Sequence, residues 1–401
     1  MKHALILSTL YPNPANPRFG TFVARSMEAL AARRGWRVCV INPIGLPPLG
    51  LGAVSERYRT LSALPMISEE GGVTIHRPRF TLIPKLGARR NAGAIAKAAQ
   101  PIARQIHAQM PVDLVDAQFF FPDGPAAAAL ARDLGAPLTI KARGSDITYW
   151  GGVDYARKQM QEAAAQASGV MAVSQALAKE TASALKLKAE AITIHYTGLD
   201  RDRFRPLGHT QLRAQLGATL GFDLPSDAPL LASVGALVAR KGHDIALEAL
   251  ALLADTHPEA RLLIVGKGEE DAKLRTLVRS LGLDGRVNLT GAIDHDLLPV
   301  LLSAADAMVL PTSNEGLANA WVEALACGTP LVTCDVGGAR ELVTSDLAGR
   351  LVERSAQSVA EGVREVLCAP GDPQEIAALA ERFDWTSHAQ ELAEYYDSLL
   401  D

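Results

Sequence analysis

Two glutamates eight positions apart stand in an otherwise small and apolar stretch, NEGLANAWVEALACGTP, which runs from Asn314 to Pro330. Their carboxylates could accept hydrogen bonds from the hydroxyl groups of a ligand. The preceding run DAMVLPT is typical of a strand, whereas ANAWVEALACG has a helical period and ends at Gly328. These patterns predict Glu315 in a strand-to-helix loop and Glu323 on the helix. Such a loop lies at the carboxyl end of a parallel strand, where doubly wound sheets bind ligands.

The start of this predicted helix could also bind a phosphate. Unpaired backbone N–H groups at a helix N-terminus attract anions, and the small residues Gly316, Ala318 and Ala320 would allow close approach. A purely structural interpretation fits the pattern as well. Glu315 would then favour the positive end of the helix, and Glu323 would be a solvated side chain. Periodicity alone leaves both interpretations open.

Two further turns carry glycine. In SVGALVARKGHD, Gly235 follows a predicted strand, and Arg240 and Lys241 precede a helix. Lysine is a point charge and arginine a planar fork, and both suit a diphosphate. Two exposed cations before a helix would give the same pattern. The other turn, STLYPNPANPRFGTFVARS, has Gly20 between the first strand and the first helix, so glycine-bearing turns are predicted in both halves of the chain.

The elements that would position these residues alternate along the chain. Short apolar runs alternate with Ala- and Leu-rich segments of helical period, as in HALILS, GTFVARSMEALAARRG and RVCVINP. Strands buried on both faces read as continuous apolar runs, so the alternation predicts an α/β protein with parallel sheets. The pattern restarts at LLASVGAL, which favours two β-α domains. We predict an N-terminal domain over 1–200, a linker region over 201–227, a C-terminal domain over 228–384 and a final amphipathic helix over 385–401.

Composition argues against several classes of protein. A net charge of -4 and a pI near 6.2 give no bulk reason to expect a nucleic-acid partner. The four cysteines form no C-x-x-C pair, which argues against a disulfide framework or a zinc site. The chain contains no run of about 20 apolar residues, so the sequence predicts no transmembrane helix. The first apolar run stops at Pro12 and favours a strand over a signal peptide, so we expect a cytoplasmic protein without a metal site.

The segment from Gly71 to Val112 contains no acidic residue. Its basic residues lie between positions 77 and 104; they are Arg77, Arg79, Lys85, Arg89, Arg90, Lys97 and Arg104. The helical period from Asn91 onward predicts an amphipathic helix. Its basic face could simply be solvated. Alternatively, it could contact an anionic membrane or an anionic acceptor, because each basic side chain contributes about 1 kcal/mol at an anionic lipid surface.

The stretch NEGLANAWVEALACGTPLVTCDVGGARELV, with its E-x7-E spacing and the GG-x-x-E that follows, resembles the retaining glycosyltransferases of family 4, also called glycosyl transferases group 1. Further matches are ARGSDI, HYTGLDRDRF, VGALVARKG, IVGKGEEDAKL and VNLTGAI. The resemblance implies the GT-B fold, an α/β architecture in which two Rossmann-like domains with parallel sheets face a central cleft. It also implies that the C-terminal helix completes the N-terminal domain.

The resemblance further implies roles for particular residues. Glu323 would accept hydrogen bonds from a ribose, and Glu315 would contact the sugar of a UDP- or GDP-linked donor. Lys241, with Arg240 beside it, would neutralise the diphosphate leaving group, a task that GT-B relatives perform without a metal or cofactor. The other donor contacts would come from small residues and backbone groups; these are Gly20, Gly235, Gly266, Thr290, Gly291, Ala292, Gly316, Leu317, Ala318 and Asn319.

Three positions depart from the family pattern, and one of them, Thr197 in place of the usual asparagine, is expected to have little consequence for the chemistry. Ala236 stands where many relatives have arginine, and Arg143 stands where many have histidine before G-S-D. Arginine cannot be a neutral proton carrier, so Arg143 would instead bind a phosphate or an anionic acceptor near the reacting groups. The predicted reaction moves a hexose, with retention, to a glycan or lipid-linked intermediate of a cell-surface polysaccharide. A nucleotide-sugar epimerase, a sugar phosphorylase and a catalytically silent subunit are the alternatives on the same fold.

Overall fold

The computed structural model describes residues 1–17, 19–48, 55–83 and 87–400. This part of the chain divides into two compact units. The first comprises residues 1–198 together with 385–401, and the second comprises residues 199–384. Lys85, counted above among the basic residues, lies outside the described residues.

The first unit is an α/β structure. Its strands are β1 (Lys2–Leu7), β2 (Trp36–Ile41), β3 (Ile44–Leu46), β4 (Ile67–Glu70), β5 (Val73–His76), β6 (Arg79–Thr81), β7 (Leu114–Ala117), β8 (Leu138–Ala142), β9 (Gly169–Ala172) and β10 (Ile192–Ile194). Helices that precede the second unit are α1 (Thr21–Ala31), α2 (Glu56–Ser62), α3 (Ala88–Gln109), α4 (Asp123–Leu134), α5 (Ser145–Thr148), α6 (Asp154–Ala164) and α7 (Gln175–Leu185). Single 3-10 turns cover Trp150–Gly152 and Ala189–Ala191.

One eight-stranded sheet organises this unit. Its order is β10-β9-β8-β7-β1-β2-β5-β4, and every pair is parallel except β4 with β5. Helices cover both faces, so β7 and β8 are buried along their whole length, as continuous apolar runs predict. The carboxyl ends of β1, β7 and β8 therefore meet at one edge, where the loops that carry polar side chains begin.

The second unit contains a six-stranded parallel sheet. Its strands are β11 (Leu230–Val234), β12 (Arg261–Val265), β13 (Val287–Gly291), β14 (Ala307–Leu310), β15 (Leu331–Cys334) and β16 (Gly349–Val352), in the order β13-β12-β11-β14-β15-β16. Its helices are α8 (His209–Leu220), α9 (His243–Leu252), α10 (Asp271–Ser280), α11 (Leu297–Ala304), α12 (Asn319–Ala326), α13 (Ala339–Leu342), α14 (Ala356–Cys368) and α15 (Pro373–Ala378). Single 3-10 turns cover Ala239–Lys241 and Glu381–Phe383. The predicted α/β fold with parallel sheets in two domains is confirmed.

The last helix, α16 (Trp385–Asp397), belongs to the first unit. It buries Leu392 and Tyr396 in the core, where the Tyr396 ring lies 5.7 Å from that of Trp36. A polar contact is buried beside this apolar face, because His388 Nε2 lies 2.6 Å from Ser26 Oγ of α1. The helix thus packs against α1 through both apolar and polar side chains.

Residues 201–227, for which a linker was predicted, lie within the second unit. Helix α8 occupies much of this segment, and Arg213 on it forms a 2.7 Å ion pair with Asp306 just before β14. The same guanidinium donates to the carbonyl oxygens of Ala228 and Ala304. These contacts attach the segment to the sheet of that unit. Across the described ranges, no helix is both long and apolar enough to cross a bilayer.

Candidate functional site

Three neighbouring strands of the second unit end in glycine-bearing loops that hydrogen-bond to one another. The backbone N–H of Gly235, after β11, donates to Val265 O at 2.9 Å, and that of Gly266, after β12, donates to Gly291 O at 2.9 Å. Gly266 has φ +154, and a Cβ there would stand 1.8 Å from Gly235 O. Only glycine fits this approach. Thr290 and Gly291 end β13 at the same edge, Ala292 follows directly, and the Thr290 hydroxyl donates to Ile264 O.

A cluster of charged side chains lies at the ends of β11 and β14. Lys241, in the 3-10 turn after β11, donates from Nζ to Glu315 Oε1 in the loop after β14. Arg240 Nη1 donates to the same oxygen at 2.8 Å, and Thr312 Oγ1 donates to it at 3.2 Å. The Lys241 and Glu315 side chains are each only 11% exposed, whereas Arg240 is 50% exposed. The fold therefore brings together three of the residues that the sequence singled out for charge.

This cluster retains capacity for a ligand. All the described donors converge on Oε1 of Glu315, so its Oε2 remains available to accept from a ligand hydroxyl. Lys241 uses one of its three ammonium hydrogens on Glu315. A half-enclosed cation beside a carboxylate can bind a phosphate on one side and a hydroxyl on the other. That arrangement suits a sugar joined to a diphosphate.

The loop after β14 leads directly into α12. Gly316 and Ala318 are buried, Leu317 is half-buried, and Asn319 is exposed at the first helical position. The loop is held from β15, because the N–H of Gly338 donates to Gly316 O at 2.8 Å. Gly337, at φ +53, packs so closely that a Cβ there would meet Glu315 O at 1.7 Å. Contacts from residues about 20 positions later thus fix the Glu315 backbone.

Glu323 lies in the second turn of α12 and is half-buried. Among the described residues, none donates a hydrogen bond to its carboxylate. Burial raises the pKa of Glu323 to about 7, and the positive charge of Arg203 opposes that shift. A desolvated carboxylate without donors is well suited to accept the hydroxyl hydrogens of a ribose.

His243 is a contributor that the sequence reasoning did not single out. It is buried at the start of α9, with Nδ1 2.9 Å from Ser233 Oγ and Nε2 3.2 Å from Ala236 O. Burial lowers the pKa of His243 to about 4, so the ring is neutral at pH 7. It fastens the loop after β11 to the sheet. A histidine directly after R-K-G was visible in the sequence, but only the packing shows that its ring turns back towards the loop.

The remaining predicted residues lie in the first unit. Gly20 has φ +71 at the start of α1, where a Cβ would be 2.5 Å from the carbonyl carbon of Leu10. Arg143 follows β8; its Nε donates to Gln118 O at 3.0 Å, and its guanidinium carbon lies 4.9 Å from the centre of the Phe22 ring. Burial lowers the pKa of Arg143 to about 10. Arg143 therefore stays charged at neutral pH.

One interpretation of the sequence changes with the structure. Arg77 was counted in the basic surface segment, but its side chain is fully buried and bonds to Ser68 and Glu70. It cannot contribute to a basic surface.

Two α/β units, each built on a sheet of mainly parallel strands, have the architecture of the GT-B glycosyltransferases. The model of the family described as "Glycosyltransferase Family 4" matches residues 20–203, and that described as "Glycosyl transferases group 1" matches residues 221–394. The chain belongs to glycosyltransferase family 4. Its function is that of a glycosyltransferase on the GT-B fold.

Several known proteins match most of the chain, with sequence identities below 30%. TuaC, a glycosyltransferase of Bacillus subtilis strain 168 assigned to teichuronic acid biosynthesis, is 28% identical over 90% of this chain and 87% of its own length. Sucrose-phosphate synthase from Thermosynechococcus elongatus superposes with a TM-score of 0.77 at 21% identity, over 100% of this chain and 99% of the other. Anabaena HepE in complex with UDP gives 0.73 at 22% identity, over 99% and 100%. Both structures share the fold.

Proposed function

We propose that the chain transfers a hexose from a nucleoside diphosphate to a hydroxyl of a glycan or lipid-linked acceptor, with retention of configuration and without a metal ion. The observation that carries this proposal is the Lys241–Glu315–Arg240 cluster at the carboxyl edge of a parallel sheet. Glu323 in the following helix supplies an acceptor for ribose hydroxyls. HepE structures that contain UDP or UDP-glucose support a nucleotide-sugar donor for this fold.

Charge stabilisation explains how these side chains would act. Breaking the bond between the sugar and the diphosphate develops negative charge on the leaving oxygen. Lys241 and Arg240 would stabilise that charge, and the backbone N–H groups at the start of α12 would add positive partial charge. Preorganised cations of this kind can serve where other enzymes use a metal. The proposals of retention and of a front-face attack by the acceptor hydroxyl rest on the family resemblance. No residue is assigned as a covalent nucleophile.

A thermal-shift screen of UDP, GDP and ADP in the presence of EDTA tests the donor class. We expect one nucleotide to raise the Tm by several degrees, because a ligand at about 100 times its Kd adds about 2.7 kcal/mol to the free energy of unfolding. The corresponding nucleotide sugar should then release sugar slowly, or transfer it to an alkyl glycoside, with EDTA still present. Binding by none of the nucleotides would refute the proposed donor class, and turnover only with added Mg²⁺ would refute metal independence.

The affinity for that nucleotide should depend on pH through Glu323. The carboxylate must be ionised to accept ribose hydroxyls, and its pKa of about 7 means that the ionised fraction falls about tenfold from pH 8 to pH 6. From pH 8 to pH 6, the affinity of the wild type for the nucleotide should therefore fall by about that factor more than the affinity of Glu323→Gln falls. The nucleotide's own ionisation affects both proteins equally. Glu248→Gln, an exposed glutamate on α9, is the matched control and should retain the wild-type slope.

The stability of the ligand-free protein should depend on pH in the opposite direction to the nucleotide affinity. The pKa of Glu323 in the folded state lies above its ordinary value of 4.5, so the folded state binds the proton more tightly than the unfolded state. This group therefore lowers the free energy of unfolding as pH rises from about 4.5 through 7. Glu323→Gln should be more stable than the wild type at pH 8. Equal stability there, with equal pH slopes for nucleotide binding, would contradict the assignment of Glu323.

We also propose peripheral contact between helix α3 and an anionic membrane. Arg89, Arg90 and Lys97 are exposed on this helix, whereas Arg104 is paired with Asp133. Three exposed cations would contribute about 1 kcal/mol each at an anionic bilayer. Co-sedimentation with vesicles should therefore rise with the content of anionic lipid, and binding indifferent to that content would refute the contact.

A further inference from the structure

The side chain of Arg143 is fixed on three sides at the carboxyl edge of the first unit's sheet. Its Nε donates to Gln118 O at 3.0 Å, its Nη2 donates to Gln118 Oε1, and its guanidinium stacks on Phe22 at 4.9 Å. The amide of Gln118 is itself fixed, because its Nε2 donates to the buried carboxylate of Asp116. The guanidinium is therefore oriented before any ligand arrives.

No carboxylate pairs with this charge. Within the described residues, no acidic oxygen lies within 4.0 Å of the Arg143 guanidinium, although Asp116 and Asp146 are both nearby in the fold. The Asp146 carboxylate accepts backbone N–H groups of Phe120, Arg143 and Gly144. The Asp116 carboxylate accepts from Thr139 and Gln118. The neutral amide of Gln118 thus links the Asp116 carboxylate to the arginine.

An oriented, half-buried guanidinium without an anion has unused binding capacity. Removing a cation from water is costly unless an anion compensates it. Arg143 is half-buried, and its Nη1 donates to none of the described residues, whereas Nε and Nη2 both donate to Gln118. Nη1 presents a charged donor pair of the type that arginine uses for carboxylate and phosphate.

We propose that Arg143, held by Gln118 and Phe22, binds an anionic group on the acceptor, either the carboxylate of a uronic acid or a phosphate. The inference rests on the proposed glycosyl transfer and specifies its acceptor class. Arg143 follows β8 at the edge where parallel sheets bind ligands, and one helical turn later Tyr149 presents an aromatic side chain that is 64% exposed. Arg143 and Tyr149 thus flank the four-residue helix α5, with a charge before it and an exposed aromatic ring after it.

Direct binding to matched probes tests this site without requiring turnover. The probes are octyl glucoside, octyl glucuronoside and octyl glucoside 6-phosphate, used below their critical micelle concentrations and measured by saturation-transfer NMR or calorimetry at pH 7.5. We expect at least one anionic probe to bind the wild type about tenfold more tightly than the neutral probe. In Arg143→Gln the ratio should fall to near one, and Arg143→Lys should give an intermediate ratio. Comparison of the two anionic probes shows whether Arg143 prefers a carboxylate or a phosphate.

Arg132→Gln removes an exposed cation on α4 of the same unit and is the matched control, expected to keep the wild-type ratio. Equal binding of the three probes by the wild type would overturn the proposal, as would discrimination that persists in Arg143→Gln. Binding of the selected nucleoside diphosphate, measured in parallel, separates the two hypotheses. If Arg143→Gln weakens the nucleotide while the probe ratio is unchanged, Arg143 serves the donor and the acceptor proposal is wrong. If no nucleotide binds the wild type, the proposed function fails independently of the probe result.

Discussion

Lys241→Ala is expected to lower kcat for sugar transfer by about 100- to 1,000-fold, the usual cost of losing one preorganised charge at a developing anion. The Lys241 side chain is only 11% exposed and its ammonium faces Glu315 in a half-enclosed site, where a charge acts more strongly than in water. The loss should appear mainly in kcat, because the interaction strengthens as the leaving oxygen gains charge. Initial rates with saturating donor, in EDTA, measure it. Lys273→Ala, on the exposed face of α10, is the control and should stay near wild type.

A double variant distinguishes the loss of the Lys241 charge from an indirect effect on Glu315. Removing Lys241 leaves Glu315 with Arg240 and Thr312 as donors, and a partly desolvated carboxylate could disturb the loop. In Lys241→Ala with Glu315→Gln, that carboxylate is absent. If Lys241 acts on the leaving group, the double variant will be no faster than Lys241→Ala alone. Recovery of most of the activity would mean that Lys241 only neutralises Glu315, and a threefold or smaller loss in the single variant would remove Lys241 from the mechanism.

Deletion of residues 385–401 is expected to unfold the first unit. Helix α16 buries Leu392 and Tyr396, and truncating one such side chain already costs about 2–5 kcal/mol. Loss of the whole helix also exposes its apolar partners on α1 and leaves Ser26 without His388. The summed cost is comparable with the roughly 5–15 kcal/mol that usually stabilises a domain. Hydrogen exchange should show loss of protection in β1 and β2, while β11 and β12 of the second unit, whose residues are all retained, stay protected.

A point variant keeps this prediction testable if the truncated chain aggregates. Leu392→Ala should lower the melting temperature by roughly 5–15 °C, from the same 2–5 kcal/mol spread over a unit of this size. Glu394→Ala, exposed on the same helix, should change stability by less than about 0.5 kcal/mol. An unchanged melting curve for the truncated chain, or equal effects of the two point variants, would show that α16 does not complete the first unit.

Local rules predicted the scaffold of the candidate site. Continuous apolar runs identified the buried parallel strands, and the change from a strand pattern to a helical period placed Glu315 in a loop and Glu323 on α12. Gly20 was singled out by its turn between a predicted strand and a predicted helix, and Gly266 by the family resemblance. The strand and helix patterns depend on neighbours along the chain, so the sequence is sufficient to find them, whereas the close approach of Gly266 to Gly235 O involves residues 31 positions apart. The sequence did not show that segment 201–227 belongs to the second unit. Its helix is attached there by Arg213, which contacts residues about 90 positions later.

The tertiary structure decided which charges meet. The Lys241–Glu315 contact joins residues 74 positions apart, and the Arg143–Gln118 contact joins residues 25 apart. Sequence patterns showed that these residues were polar and near strand ends, but pairing depends on strand order within a sheet. Burial was equally hidden, since Arg77 reads as a surface cation and is fully enclosed. The sequence by itself determined the elements and the edge of each sheet where chemistry could occur, because periodicity and glycine conformation are local; desolvation and partner choice arise only when distant elements pack together.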